Sequence, residues 1–232
     1  MQTVSLKLTS KFAHFKKPET NNNPCTYAFM HKCAFLGFMG AVLGIQRGKM
    51  NFEQYCNDFL YGIKTVNPVF KESASFTQIK ITPNELDEYF KNGKKGIRYI
   101  ELLVNPCYEI TLTLKNTRAT EMFEKFVYSI KHQETCFPVY LGIASCQCDF
   151  EYLGEFECSV LSNGVFETEY IFSFEHKVSP TDVLECVCDK LPIAENNDWQ
   201  YTQYTNVVSP NKNTKVNGNY YQLSNGTTLW MI

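Results

Sequence analysis

The sequence predicts an α+β protein: a ferredoxin-like βαββαβ domain over residues 1–150, followed by a small antiparallel β subdomain over 151–232. Three observations predict it. The first ten residues alternate apolar and polar side chains, two β-rich runs precede an amphipathic helix in mid-chain, and after residue 150 short strands alternate with turn residues. With 232 residues, 44% of them hydrophobic, the chain can bury a sizeable core.

In "MQTVSLKLTS", Val4, Leu6 and Leu8 share one face of a strand. "KFAHFKKPETNNNPCTYAF" interleaves lysines with aromatics and a Pro-bounded asparagine run, and reads as a basic loop. "HKCAFLGFMGAVLG" predicts a helix over 32–46. "NFEQYCNDFLYGI" predicts a second, with Asn51 as its cap and Phe52, Tyr55, Phe59 and Ile63 on one face. Residues 66–96 are mixed: "FTQIKIT" is strand-like, "PNELDEYF" starts like a helix with Pro83 in its first turn, and "KNGKKG" is a basic turn.

"IRYIELLV" and "CYEITLTL", joined by Asn105 and Pro106, predict a hairpin. "RATEMFEKFVYSIKHQ" predicts a helix with Met122, Phe126 and Ile130 four apart, and "VYLGIASCQCDF" returns to strand. Without the insertions the order is strand, helix, strand, strand, helix, strand, which is also the RNA-recognition-motif topology. Beyond it lie the β-rich "FEYLGEFECSV", "FETEYIFSF" and "WQYTQYTNVV", then a closing hairpin turned by Ser224, Asn225 and Gly226.

The net charge of −2 conceals an asymmetry. Residues 1–52 carry Lys7, Lys11, Lys16, Lys17, Lys32, Arg47 and Lys49 against Glu19 alone, whereas 149–198 hold twelve acidic side chains against Lys177 and Lys190. A basic end on an acidic chain suits a docked polyanion. Lysines interleaved with Phe12, Phe15, Tyr27 and Phe29 suit single-stranded nucleic acid, with phosphates on the cations and bases on the rings. A solvated charged face is the plainer alternative.

The amino terminus lacks the features of a secretory signal, which points to a reducing cytoplasm and free thiols at the ten cysteines. Cys146-x-Cys148 and Cys186-x-Cys188 are closer spaced than the pairs of structural zinc sites, so no metal or cofactor is expected. The apolar run from Cys33 to Ile45 is 13 residues, short of the roughly 18–20 a membrane span needs. No P-loop, G-x-S-x-G or H-E-x-x-H occurs.

Gly37, Gly40 and Gly44 each cost a helix about 1 kcal/mol relative to Ala. With Ala34 and Ala41 they make a strip of small residues that admits a close neighbour, either a packed sheet or a ligand. His31 and Lys32 stand at the positive end of the helix dipole, where a bound phosphate would offset their repulsion.

The stretch "KFAHFKKPETNNNPCTYAFMHKCAFLGFMGAVLGI" resembles the amino-terminal signature of the CRISPR-associated protein 5 family of type I systems, with its basic-aromatic loop, Tyr-x-Phe approach and Gly-x-x-Gly-Ala-x-x-Gly helix. "PVYLGIASCQCDF" is similar to the family's Pro-x-Tyr-Leu-Gly strand. Met30, His31 and Lys32 stand where family members often carry prolines. The resemblance implies the modified ferredoxin-like fold of the repeat-associated (RAMP) superfamily, with a thumb-like insertion supplied by 66–96, and a length most like the type I-B branch.

It also implies a non-catalytic subunit that caps the 5′ handle of the CRISPR guide RNA in the Cascade complex. Such a subunit touches the large subunit and the first backbone subunit, and meets target DNA through the complex. Residue chemistry and resemblance together nominate Lys11, His14, Phe15, Lys16, Lys17, Asn21, Tyr27, His31, Lys32, Gly37 and Gly40 for RNA binding.

One branch of the family cleaves repeat RNA with a Tyr, Lys and His set and no metal. Tyr27, Lys131 and His132 are the candidates here, the histidine as general base on a 2′-hydroxyl and the lysine opposite the phosphorane charge. A Lys-His pair at a helix C-terminus equally suits the helix dipole. A guide-RNA-binding subunit and a metal-independent endoribonuclease therefore both stand.

Overall fold

The computed structural model describes residues 1–49, 51–79, 95–178 and 186–232. Its strands in chain order are β1 (Gln2–Ser10), β2 (Phe12–Ala13), β3 (Phe59–Thr65), β4 (Lys71–Ile79), β5 (Lys95–Val104), β6 (Cys107–Leu114) and β7 (Cys148–Thr168). They continue with β8 (Phe172–Ser173), β9 (Lys177–Val178), β10 (Cys186–Glu195), β11 (Tyr201–Pro210), β12 (Thr214–Leu223) and β13 (Thr228–Leu229). The α-helices are α1 (Lys32–Leu43), α2 (Phe52–Asp58) and α3 (Thr120–Lys131).

The central sheet runs β13-β12-β7-β1-β6-β3, with β9 beside β12 and every pair antiparallel. The alternation of β1 decides its faces. Val4, Leu6 and Leu8 point into the main core, while Thr3 and Ser5, on the opposite face, meet the hydroxyls of Thr113 and Thr111 at 2.7 and 3.1 Å. On the core side α1 and α3 join through aromatic rings. Phe35 meets Phe126 and Tyr61, Phe38 meets Phe150, and Phe59 stacks on Phe123. Each such buried ring contributes about 1.5–3 kcal/mol of transfer free energy.

The expected closing hairpin is present, with Gly226 at φ 88 and the Leu223 N–H donating to Thr227 O. Asn51 caps α2 as expected, its side-chain oxygen accepting from the Gln54 N–H at 3.1 Å. Phe126 and Ile130 of α3 are buried. No helix among the described residues is long and apolar enough to cross a membrane.

The structure departs from the expectations at several points. The second helix stops at Asp58, and Phe59–Ile63 belongs to β3, since a run apolar on every side suits a strand covered on both faces. The second strand of the central group is consequently β3 and not residues 97–104. Those residues, in β5, pair with β2 and β4 in a separate sheet, so β5 and β6 form no hairpin. Asn105, at φ 48, donates its N–H to Lys11 O, and Pro106 O accepts from Ser10 N, so the turn is bound to the end of β1 instead.

Residues 139–147 are a turn rather than a strand, closed by one bridge between Tyr140 and Gln147, and β7 starts at Cys148. A division at residue 150 falls inside β7, whose first half pairs with β1 and whose second half pairs with β12. Finally, α1 ends at Leu43. Gly44 is its left-handed cap at φ 74, so only Gly37 and Gly40 lie within the helix. The acidic helix start at 83–90 and the turn residues 91–94 lie outside the described residues.

Candidate nucleic-acid interface

A groove of about 920 Å³ opens along α1. Its floor is Cys33, Ala34, Gly37, Phe38 and Ala41, so Ala34, Gly37 and Ala41 of the small-residue strip face open space, whereas Gly40 is buried and Gly44 packs against Cys136. A Cβ added at Gly37 would meet nothing within 4 Å. Three further segments wall the groove: the basic loop with His14, Phe15 and Lys16, the 137–143 turn with Phe137, Tyr140 and Gly142, and the β10–β11 turn and start of β11 with Trp199, Tyr201 and Tyr204.

Each wall is held by specific contacts. The 137–143 turn starts against α1, where the N–H groups of Cys136 and Phe137 donate to Val42 O and Ala41 O. Its Gly142 crosses the basic loop at φ 89, and a Cβ there would lie 1.8 Å from His14 O. The loop is a narrow ladder, with Lys17 N donating to Cys25 O and Tyr27 N to Phe15 O. Lys17 pairs with Asp189 of β10 at 2.9 Å, and the other oxygen of that carboxylate accepts from Ala28 N at 2.7 Å. In the β10–β11 turn, the Asn196 side-chain oxygen accepts from the N–H groups of Asp198 and Gln200, and Trp199 sits at φ 62 with its side chain outward.

The rings of Phe137, Tyr140, Trp199 and Tyr204 are exposed, Trp199 to 53% and Tyr204 to 38%. Lys16 lines the same groove, and the Lys190 ammonium stands 5.2 Å from the centre of the Tyr204 ring. Flat exposed rings beside cations offer stacking surfaces for bases and counter-charges for phosphates.

His31 and Lys32 do not form a basic helix front. His31 caps α1, its Nδ1 accepting from Ala34 N at 3.2 Å, so Nε2 carries the proton and donates to the Tyr201 hydroxyl at 3.4 Å. Rings of Phe15, Tyr27 and Tyr201 surround it edge-on, and burial holds its pKa down to about 3. Lys32 is buried, its ammonium donating to the backbone oxygen of Ile232 at 3.0 Å, and burial lowers its pKa to about 8. His14 is buried too, with Nδ1 on Glu101 O at 2.7 Å and its pKa lowered by burial.

These histidines make stability fall on acidification. Above pH 6.5 both folded and unfolded chains hold His31 neutral, whereas between 6.5 and about 3 only the unfolded chain takes up its proton. His31 alone then costs about 2 kcal/mol at pH 5, and His14 adds in the same direction. Urea midpoints of the wild type should therefore drop between pH 7 and 5. The drop should shrink in His31→Asn, which keeps the cap; parallel curves would show that His31 is not held neutral.

Of the residues nominated from sequence, the groove brings together His14, Phe15, Lys16, His31 and Gly37, of which Lys16 and Gly37 are exposed. Lys11 and Asn21 are exposed but do not line it, and Lys17 is committed to Asp189. Tyr27, Lys32 and Gly40 are buried behind the walls. Of the aromatics interleaved with the lysines, Phe15, Tyr27 and Phe29 are core residues and Phe12 is exposed but does not line the groove, so the groove's stacking surfaces come from Phe137, Tyr140, Trp199 and Tyr204, none of which had been nominated. The aromatic spacing 199, 201, 204 directly after the polar Asn196-Asn197-Asp198 is the signal that marks exposed rings at a turn.

The candidate cleavage set is not assembled. The Tyr27 ring packs against His31 and under the Lys17 ammonium. Lys131 and His132 line a second recess with Gln2, Tyr128 and Glu155, which shares no residue with the groove. There the His132 ring stacks on Tyr128, its Nδ1 is 2.8 Å from Tyr128 O, and Lys131 is 3.5 Å from Glu155.

A family model described as CRISPR-associated protein (Cas_Cas5) matches residues 3–206. No curated protein sequence matches the chain. Among solved structures, a chain of a CRISPR RNA-guided surveillance complex is similar in fold, with a TM-score of 0.57 at 12% identity over 93% of this chain and 91% of that one. A CRISPR protein from Archaeoglobus fulgidus also has a TM-score of 0.57, at 10% identity over 99% of this chain and 98% of its own.

Proposed function

Because the chain belongs to the CRISPR-associated Cas5 family, we propose that it is a non-catalytic subunit of an RNA-guided Cascade complex and binds the 5′ handle of the guide RNA in the groove along α1. The observation that carries this reading is the exposed aromatic set Phe137, Tyr140, Trp199 and Tyr204 around a floor left open at Gly37, with Lys16 and Lys190 at its margin. Stacking gives affinity to unpaired nucleotides, and the lysines neutralise their phosphates.

The fold supports the reading. Taken as βαββαβ, the four strands β1, β3, β6 and β7 lie in the order fourth, first, third, second, as a ferredoxin-like RAMP core requires, and β4–β5 leave it where a thumb would. That a chain of similar fold belongs to a CRISPR RNA-guided surveillance complex supports an assembly of this kind. The partners are then the large subunit and the first backbone subunit, in a cytoplasmic type I-B complex that meets target DNA.

Incubating the protein with its cognate repeat RNA in EDTA tests the assignment. The expected result is a bound, uncleaved RNA. Site-specific cleavage that disappears in His132→Ala would replace it with the metal-independent endoribonuclease.

A further inference from the structure

His14 lines the groove although only 2% of it is exposed. Its Nδ1 lies 2.7 Å from Glu101 O, and since a carbonyl oxygen can only accept, Nδ1 carries the ring proton. Burial holds the pKa of the ring below the ordinary histidine value, which keeps a second proton off. Nε2 is left as a bare acceptor.

That nitrogen has no partner among the described residues. It is not sealed in either. Asp58 Oδ2 is the one buried side-chain nitrogen or oxygen without a hydrogen-bond partner among those residues, so His14 Nε2 opens on the groove that the residue lines. The ring is fixed where it stands. His14 N donates to Leu141 O at 3.1 Å, and Gly142 passes too close to His14 O to admit a Cβ. Glu101, whose backbone oxygen holds Nδ1, is itself tied down through its carboxylate, which accepts from Thr26 N at 2.9 Å and from the Lys71 ammonium at 3.1 Å. An acceptor held in this way loses little freedom when it binds.

A neutral acceptor selects against phosphate oxygens, which bring no hydrogen, and in favour of a hydroxyl or amine hydrogen. The neighbours decide between these two. Lys16, two residues on and exposed, faces the same groove as a partner for phosphate, and the exposed Tyr140 ring, on the turn that crosses His14, offers its face to a base. On every RNA nucleotide the donor between phosphate and base is the ribose 2′-hydroxyl. Base amines differ from base to base, and DNA lacks the hydroxyl.

Resting on the assignment of the groove to guide RNA, we propose that His14 Nε2 accepts the 2′-hydroxyl hydrogen of one guide-RNA nucleotide, and that His14 is the residue by which the groove prefers RNA to DNA.

The test compares binding of the full-length protein to the 5′ handle RNA with binding to the same RNA carrying a 2′-deoxy sugar at one position at a time. One position should weaken wild-type binding by about 2- to 10-fold, the value of one hydrogen bond. His14→Asn keeps a side-chain N–H for Glu101 O and has nothing at the place of Nε2, so in this variant the same deoxy sugar should cost nothing further. Nitrogen NMR of histidine-labelled wild type gives a reading that needs no variant. Free His14 should be the Nδ1–H tautomer, and its Nε2 signal should shift with the all-ribose RNA and not with the deoxy RNA. Bound RNA with no position sensitive in this way, an equal deoxy cost in His14→Asn, or an Nε2–H tautomer would overturn the proposal and leave guide-RNA binding in place. Failure of the wild type to bind the RNA at all would remove the assigned function and the proposal with it.

Discussion

Replacing Gly142 with Ala is expected to destabilise the protein by about 2–5 kcal/mol, the sum of an overpacking cost and a left-handed backbone penalty. The new Cβ would lie 1.8 Å from His14 O and 2.6 Å from His14 C, which are backbone atoms that no rotamer change can move aside. Its φ of 89 adds strain that Ala cannot relieve. The 137–143 turn would have to leave the basic loop, breaking the bond from His14 N to Leu141 O and widening the groove between Lys16 and Tyr140.

Gly37→Ala should do the reverse to stability, raising it by up to about 1 kcal/mol, because the helix gains propensity and the methyl meets nothing. That methyl nevertheless projects into the groove, so RNA affinity should fall while the urea midpoint rises. A packing role for Gly37 would lower both. Urea titration of the two variants against wild type decides the point.

Trp199→Ala and Tyr204→Ala are each expected to weaken guide-RNA binding by about 5- to 150-fold, which is the ratio that about 1–3 kcal/mol of lost stacking produces. Folding should be little affected, since both rings are substantially exposed. Lys16→Gln should reduce the slope of log affinity against log salt by about 0.7, the single-strand value for one phosphate contact. Lys17→Gln should behave differently. It leaves the largely buried Asp189 without its cation and loosens the loop from β10, so the loss appears in stability as well as affinity. Filter binding at several salt concentrations separates these effects.

How far the sequence disclosed this structure depended on how local each signal was. The alternation of Val4, Leu6 and Leu8, the Asn51 cap and the Ser224-Asn225-Gly226 turn are decided within a few residues, and all are realised. Strand partners are not decided locally. "IRYIELLV" and "CYEITLTL" have the same β character, and only the bonds from Ser10 and Asn105 across β1's end show that they enter different sheets. Phe59 continued the helical spacing of Phe52 and Tyr55, and burial on both faces overrode it.

The site was legible to a smaller degree. The floor of small residues and Lys16 could be found in one stretch, but an aromatic in a loop reads alike whether it is buried, as Phe15 and Tyr27 are, or exposed, as Trp199 is. His31 and Lys32 misled for the same reason. Burial keeps the His31 ring neutral and turns the Lys32 ammonium inward to Ile232 O, which no spacing of residues reveals.

The most direct measurement is ultraviolet cross-linking of guide RNA in the assembled complex, followed by mass spectrometry of the modified peptides of this chain. The account predicts nucleotide adducts on the peptides carrying Tyr140, Trp199 and Tyr204, and their loss when Trp199 and Tyr204 are both Ala. Adducts confined to the recess of Lys131 and His132, or to surfaces away from α1, would contradict it.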